Sequence, residues 1–162
     1  MPARSKTVHA SAVLVGARAV LIRGPSGAGK SRLALELIEA AGAGYLLFAR
    51  LVADDRVYLE AVGGRLLVRP AGALGGLIEV RGVGILRLNH EASAVVGLVI
   101  DLNADAERLP QADKRQTELE GITLPRLAVA PGAAALPAVL ALLTSPSLPS
   151  PHAGEGREGW PA

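Results

Sequence analysis

The sequence predicts an α/β domain in which a mixed, strand-rich sheet carries flanking helices, and three observations carry that prediction. A short apolar run, Ala17 to Arg23, leads into a glycine-rich loop, Gly24 to Ser31, which opens a segment of helical periodicity. Apolar stretches of strand length recur at residues 51–57, 77–86 and 95–101, broken by glycines and charges. Half of the 162 residues are hydrophobic, enough for one core and a squeeze for two.

Taken in order, Ala17 to Arg23 is bounded by glycine and contains Val-Leu-Ile, as suits a buried strand. Leu33, Ala34, Leu37, Ile38 and Ala41 then recur at helical spacing, so a helix is expected over Lys30 to Ala41, with Gly42 as its stop. Val57 to Val68 reads as a hairpin turning at Gly63-Gly64. Val95 to Ile100 is a hydrophobic strand ending in Asp101, the strand-end acid that supports Mg²⁺ in many phosphate-loop proteins and ends many ordinary strands as well. Ala133 to Leu143 is apolar enough for a closing helix if Pro137 lies in its first turn. From Thr144 to Ala162 the chain is dense in Pro, Gly and Ser, so residues 1–143 form the expected domain and residues 144–162 a disordered tail carrying the lone Trp160.

Composition excludes several functions. Aromatic residues are only 2% of the chain and the net charge is +2 with scattered basic residues, so nucleic acid is not an expected partner. The absence of cysteine excludes disulfides, thiolate metal sites and cysteine nucleophiles. No stretch reaches the roughly 18 apolar residues of a membrane span, and Lys6 and His9 interrupt any secretory core; a cytoplasmic protein is expected.

The loop Gly24-Pro25-Ser26-Gly27-Ala28-Gly29-Lys30-Ser31 is a complete G-x-x-x-x-G-K-[ST] motif. Its four fixed positions match by chance in fewer than about one chain of this length in a hundred. Glycines let backbone N–H groups face phosphates, and a following helix adds its positive end. Lys30 then reaches the β- and γ-phosphates of ATP, and Ser31 ligates Mg²⁺. Asp54 and Asp55 end an apolar run; on an extended chain they point to opposite sides, so that one could face a metal and the other an acceptor hydroxyl, although the residues alone favour a polar turn between strands. Glu79 stands among glycines and charges in Leu77 to Leu86, where it could serve Mg²⁺. For Arg108, Lys114 and Arg115 a phosphate clamp competes with a solvated loop, and composition alone favours the loop.

Together these pieces resemble the catalytic domain of the HPr kinase/phosphorylase family, which phosphorylates a serine of the phosphocarrier protein HPr. The resemblance spans about His9 to Pro131. It rests on a His twenty-one residues before the loop Lys, the loop itself, Leu-Val-Ala-Asp-Asp-Arg-Val, and Ile-Glu-Val-Arg-Gly-Val-Gly-Ile-Leu, in that order. It implies a P-loop kinase domain akin to phosphoenolpyruvate carboxykinase, with ATP and Mg²⁺ as cofactors. Residues Gly24 to Ser31 would hold the phosphates, Ser31 and Glu79 the metal. Asp55 would take the proton from the acceptor serine, Asp54 would support metal or base, and His9 and Arg108 would complete the active site, with Arg115 a rival for the arginine. The family also implies HPr as partner and homo-oligomers, commonly hexamers.

Three departures from the family pattern carry expectations of their own. The chain looks like the short form, without the separate N-terminal domain of longer members. The segment Gly44 to Phe48 is an insertion before Asp54. Leu127 to Ala135 carries no positive charge where longer members place a basic segment linked to dephosphorylation, so phosphorylase activity is expected to be weak or absent. The alternatives are a small-molecule kinase, against which stands the lack of an Arg-rich lid, and a regulator that binds ATP without transferring phosphate.

Overall fold

The computed structural model describes residues 6–72 and 75–145. Ten strands and two helices follow one another as β1 (Thr7–Val15), β2 (Arg18–Arg23), α1 (Lys30–Gly42), β3 (Ala49–Ala53), β4 (Arg56–Val62), β5 (Arg65–Pro70), β6 (Leu77–Val80), β7 (Gly84–Arg87), β8 (Ala94–Leu102), β9 (Gln116–Leu119), β10 (Ile122–Val129) and α2 (Ala135–Thr144), with a 3₁₀ turn at Ala112–Arg115. Eight strands join in one sheet, and β6 and β7 form a separate hairpin. The sheet is mixed: β8 runs parallel to β2 and to β10, while the remaining pairs are antiparallel.

The hydrogen-bonded path β2-β1-β4-β5-β8 closes on itself because β8 also pairs with β2. Two strands make this possible. The first half of β1 pairs with β4 and the second half with β2 and β3, while β8 meets β5 at Ala94 and Val95 and β2 further on. Alternation along the shared strands then divides the core in two. Val13, Val20, Ile22, Leu51 and Ile100 face α1 and α2 through Leu33, Leu37 and Val139. Ala12, Leu21, Val52 and Val99 face the opposite way, onto Val57, Leu66 and Val68 of β4 and β5. Both helices therefore lie on one face, and β4 and β5 supply the third layer in place of a helix.

The expected strand at Ala17 to Arg23 is β2, but it is the second strand of the domain, not the first. The apolar run ending at Val15 folds back through Gly16, φ 61°, to make β1 its antiparallel neighbour. Helix α1 begins at Lys30 as expected and runs one residue past Ala41. Its stop is Gly44 instead of Gly42: Gly44 takes φ 85°, its N–H bonds Ala41 O, and the N–H of Tyr45 bonds Ala40 O, the paired bonds of a left-handed helix end. The β4–β5 hairpin turns at Gly63 and Gly64, φ 58° and 77°, with Val62 opposite Arg65; two successive positive φ values define the tight turn that only glycine adopts without strain. Pro137 is third in α2, inside the first turn where its missing N–H costs nothing. The expected tail joins the fold at its start, Thr144 closing α2, and residues 146–162 lie outside the described residues.

Candidate active site

β3 and β4 run along one edge of β1 as a single interrupted strand. Ala53 lies opposite Ala12 and Arg56 opposite His9, so the intervening Asp54 and Asp55 fall beside Ser11 and Ala10. A regular strand would send those two carboxylates to opposite faces. Instead Asp55 takes φ 71°, a left-handed conformation that Asp tolerates better than most residues, and the alternation breaks there. Its carbonyl accepts the N–H of Ala10 at 3.0 Å, which keeps the break pinned to β1.

Both carboxylates consequently meet the same face of β1, the one bearing His9 and Ser11 two residues apart. Asp55 Oδ1 is 2.6 Å from His9 Nε2, with the two side chains 67% and 42% exposed. Asp54 Oδ1 accepts the Ser11 hydroxyl at 2.7 Å and, also at 2.7 Å, the Ser31 hydroxyl from the first turn of α1. The N–H of Asp55 donates to Ser11 Oγ at 3.4 Å, and the N–H of Glu79 on β6 donates to Asp54 Oδ2 at 3.4 Å. Instead of diverging, the pair thus forms one polar line from His9 to the loop.

The loop sits at the C-terminal end of β2 and passes into α1. Gly24 leaves little room for a side chain, since a Cβ there would lie 3.1 Å from both Ala28 Cβ and Leu102 Cβ. Gly29 caps α1 with φ 99°, no side chain caps its first N–H groups, and its first turn contains no acid of its own. Lys30 is buried, and its Nζ bonds the carbonyl oxygens of Gly24 and Pro25 at 2.9 and 3.1 Å, folding the ammonium back along the loop.

His9, Lys30, Ser31, Asp54 and Asp55 are thus brought together, and Glu79 joins through its backbone with its carboxylate exposed. Arg108 is not brought in: it is exposed between β8 and the 3₁₀ turn and takes no part in these bonds. Its rival Arg115 is exposed on that turn, and Lys114 is paired with Glu107, which raises the Lys114 pKa. Asp101 does not offer itself to a metal. Its two oxygens accept Arg23 and Arg126, and although burial pushes its carboxyl pKa up, the two guanidiniums outweigh that and hold it below 3.8. Ser11 went unread in the sequence; its only signal there is a lone hydroxyl two residues after His9 in an apolar run.

Among the described residues no group of three or more His, Cys, Asp or Glu side chains could cage a metal ion. Mg²⁺ needs no such cage, since it takes one or two protein ligands and completes its shell with water and phosphate oxygens. Because Ser31 gives its proton to Asp54, the lone pairs of its Oγ remain free for a cation, and Asp54 Oδ2, which accepts only the long contact from the Glu79 N–H, is a further acceptor beside it.

Fold and site together define a strand-rich α/β domain in which a Gly-x-x-x-x-Gly-Lys-Ser loop opens onto two adjacent carboxylates and a histidine. Residues 2–135 match the model of the HPr serine kinase C-terminal domain, and this chain belongs to that family. It is 39% identical over 140 residues to an HPr kinase/phosphorylase of Streptococcus thermophilus, covering 78% of this chain and 43% of that protein. It is 40% identical over 114 residues to an HPr kinase/phosphorylase of Neisseria meningitidis, covering 64% of this chain and 33% of that one. The chain therefore spans less than half the length of these curated relatives. Among solved structures, the Hpr(Ser) kinase/phosphatase of Coxiella burnetii superimposes with a TM-score of 0.66 at 26% identity, over 85% of this chain and 87% of that one.

Proposed function

We propose that this chain is an ATP-dependent kinase that phosphorylates a serine of HPr, in the regulation of the phosphotransferase system, with weak or absent phosphorylase activity. One observation carries the reading: the last residue of the glycine loop, Ser31, is hydrogen-bonded to Asp54, and the next residue, Asp55, presents an open carboxylate bonded to His9. In this reading phosphate donor and proton acceptor would stand side by side. The family membership and the names of the similar proteins point the same way.

In this reading the N–H groups of Gly24 to Ser31 and the end of α1 hold the ATP phosphates, and Lys30 leaves the loop carbonyls to contact the β- and γ-groups. Bound Mg²⁺, held by Ser31 and Glu79 with Asp54 behind them, supplies charge neutralisation on the phosphates. Asp55 accepts the proton of the acceptor serine as its oxygen forms the new bond to the γ-phosphorus and the bond to the ADP oxygen breaks. His9 fixes the orientation of that carboxylate. Asp55 is 67% exposed, so a serine carried on a protein surface can reach it, which favours HPr over the small acceptor of a closed kinase pocket. Arg108 is retained as a residue that would join only when its exposed segment meets substrate.

The segment from Leu127 to Ala135 supplies no cation to hold inorganic phosphate as a nucleophile, which supports a forward-biased enzyme. A homo-oligomer, with the hexamer as its expected form, and a cytoplasmic site of action complete the proposal; no described helix is long and apolar enough to cross a membrane. The test is intact-mass spectrometry of HPr incubated with the protein and Mg²⁺-ATP, beside Lys30→Ala and an HPr lacking the acceptor serine. One added phosphate, lost in both controls, is expected. No phosphate on HPr despite ATP binding would overturn the kinase assignment in favour of a small-molecule kinase or a silent nucleotide sensor. Rapid release of phosphate from phosphoserine-HPr on adding inorganic phosphate would overturn the forward bias.

A further inference from the structure

Ser11 and Lys30 are the only buried polar side chains among the described residues. Lys30 belongs to the loop motif, whereas Ser11 sits at 0% exposure in a strand whose other buried residues are Ala10, Ala12, Val13 and Val15. Packing alone would favour an apolar residue there, because a buried hydroxyl is costly unless its hydrogen bonds are made. They are made, and both lead to the carboxylate pair: its proton goes to Asp54 Oδ1 at 2.7 Å, and its oxygen accepts the N–H of Asp55 at 3.4 Å.

The consequence for Asp54 is asymmetric. Oδ1 accepts two hydroxyl protons, from Ser11 and Ser31, while Oδ2 has only the long contact from the Glu79 N–H. With Ser11 in place, the carboxylate cannot rotate to exchange its oxygens without breaking two charge-assisted bonds. Ser31 must then keep its proton on Oδ1 and its lone pairs turned outward. The same hydroxyl holds the backbone of the left-handed Asp55.

We infer that Ser11 is a positioning residue of the site, setting through Asp54 the direction in which Ser31 offers its oxygen to a divalent cation and, through the Asp55 N–H, the placement of the base. The inference rests on the kinase reading for its effect on turnover but not for its effect on metal binding. Mn²⁺ is the probe, titrated by electron paramagnetic resonance into the protein saturated with ADP. Ser11→Ala is expected to weaken Mn²⁺ binding about tenfold and to raise by a similar factor the Mg²⁺ needed for half-maximal phosphorylation of HPr, with ADP affinity measured without metal unchanged. Ser11→Thr, which keeps the hydroxyl, restores both, and Ser11→Val, its apolar isostere, behaves like Ser11→Ala; this pair decides the matter even if Ser11→Ala folds poorly. In an Asp54→Asn background the Ser11→Ala effect shrinks to less than twofold.

Equal Mn²⁺ affinity in Ser11→Thr and Ser11→Val would overturn the inference, as would a full tenfold effect persisting beside Asp54→Asn. A wild-type protein that binds Mn²⁺ with ADP but never phosphorylates HPr would sink the kinase reading and leave the positioning role standing on the Mn²⁺ shifts.

Discussion

Asp55 meets two demands that conflict with ordinary strand geometry: its carboxylate must reach His9 at 2.6 Å, and its backbone must stay bonded to β1. The φ of 71° reconciles them at a cost of order 1 kcal/mol. Stability and turnover should therefore part company here. Asp55→Asn, which keeps a residue tolerant of that conformation, is expected to lower kcat for HPr phosphorylation about 10²- to 10⁴-fold while ATP affinity by calorimetry stays within threefold. Asp55→Gly should be equally inactive yet about 1 kcal/mol more stable in urea titration, since glycine takes a positive φ freely. A loss of ATP affinity as deep as the loss of turnover would refute the base assignment. The residue identities were legible in the sequence because charges and a histidine stand out against Ala, Val and Leu. The relation between them was not: adjacent carboxylates are expected to diverge, and only the backbone reversal at Asp55 turns them to one side.

At the level of elements, the loop depends on how closely Gly24 passes the end of β8. A Cβ at 24 would press on Ala28 and Leu102 at 3.1 Å, so the loop or the strand end must shift by a few tenths of an ångström. Gly24→Ala should cost about 1 kcal/mol of stability, and weaken ATP binding about tenfold, because the loop N–H groups are displaced together; unchanged affinity would show that this approach does not shape the loop. Helix α1 and the β4–β5 hairpin could be read from spacing and from the paired glycines, whose chemistry is local. The left-handed stop lies at Gly44 instead of Gly42 because the helix keeps Ala40 and Ala41 against the core and runs on through the first available glycine. β1 itself was hidden, since its apolar residues carry no turn signal apart from Gly16 and its register is set by partners far away in sequence.

Across the whole molecule, Arg23, Asp101 and Arg126 tie β2, β8 and β10 together, the side chains being 26%, 15% and 21% exposed. The Asp101 carboxyl is held below its ordinary 3.8 by the two guanidiniums acting against burial, so its contribution is present above pH 3.8 and lost as pH falls through the lower folded value. Asp101→Asn should cost about 2 kcal/mol near pH 7, under the roughly 3–5 of a fully buried pair, with the gap to wild type closing below pH 3.8 in denaturant titrations; a gap independent of pH would mean that shape, not charge, holds the three strands. The mixed sheet was expected, but its folding back through β4 and β5 was not, because strand-length apolar runs do not say which strands will be shared between its two faces. The closed path through β2, β1, β4, β5 and β8 has a further consequence in time. A strand in an open sheet frays from its edge, but β1 is hemmed in for most of its length, so amide hydrogens at Val13 and Val15 should exchange only when the whole domain opens. The strand that carries His9 and Ser11 is then among the last to come apart, and the geometry around the carboxylates persists for as long as the fold does.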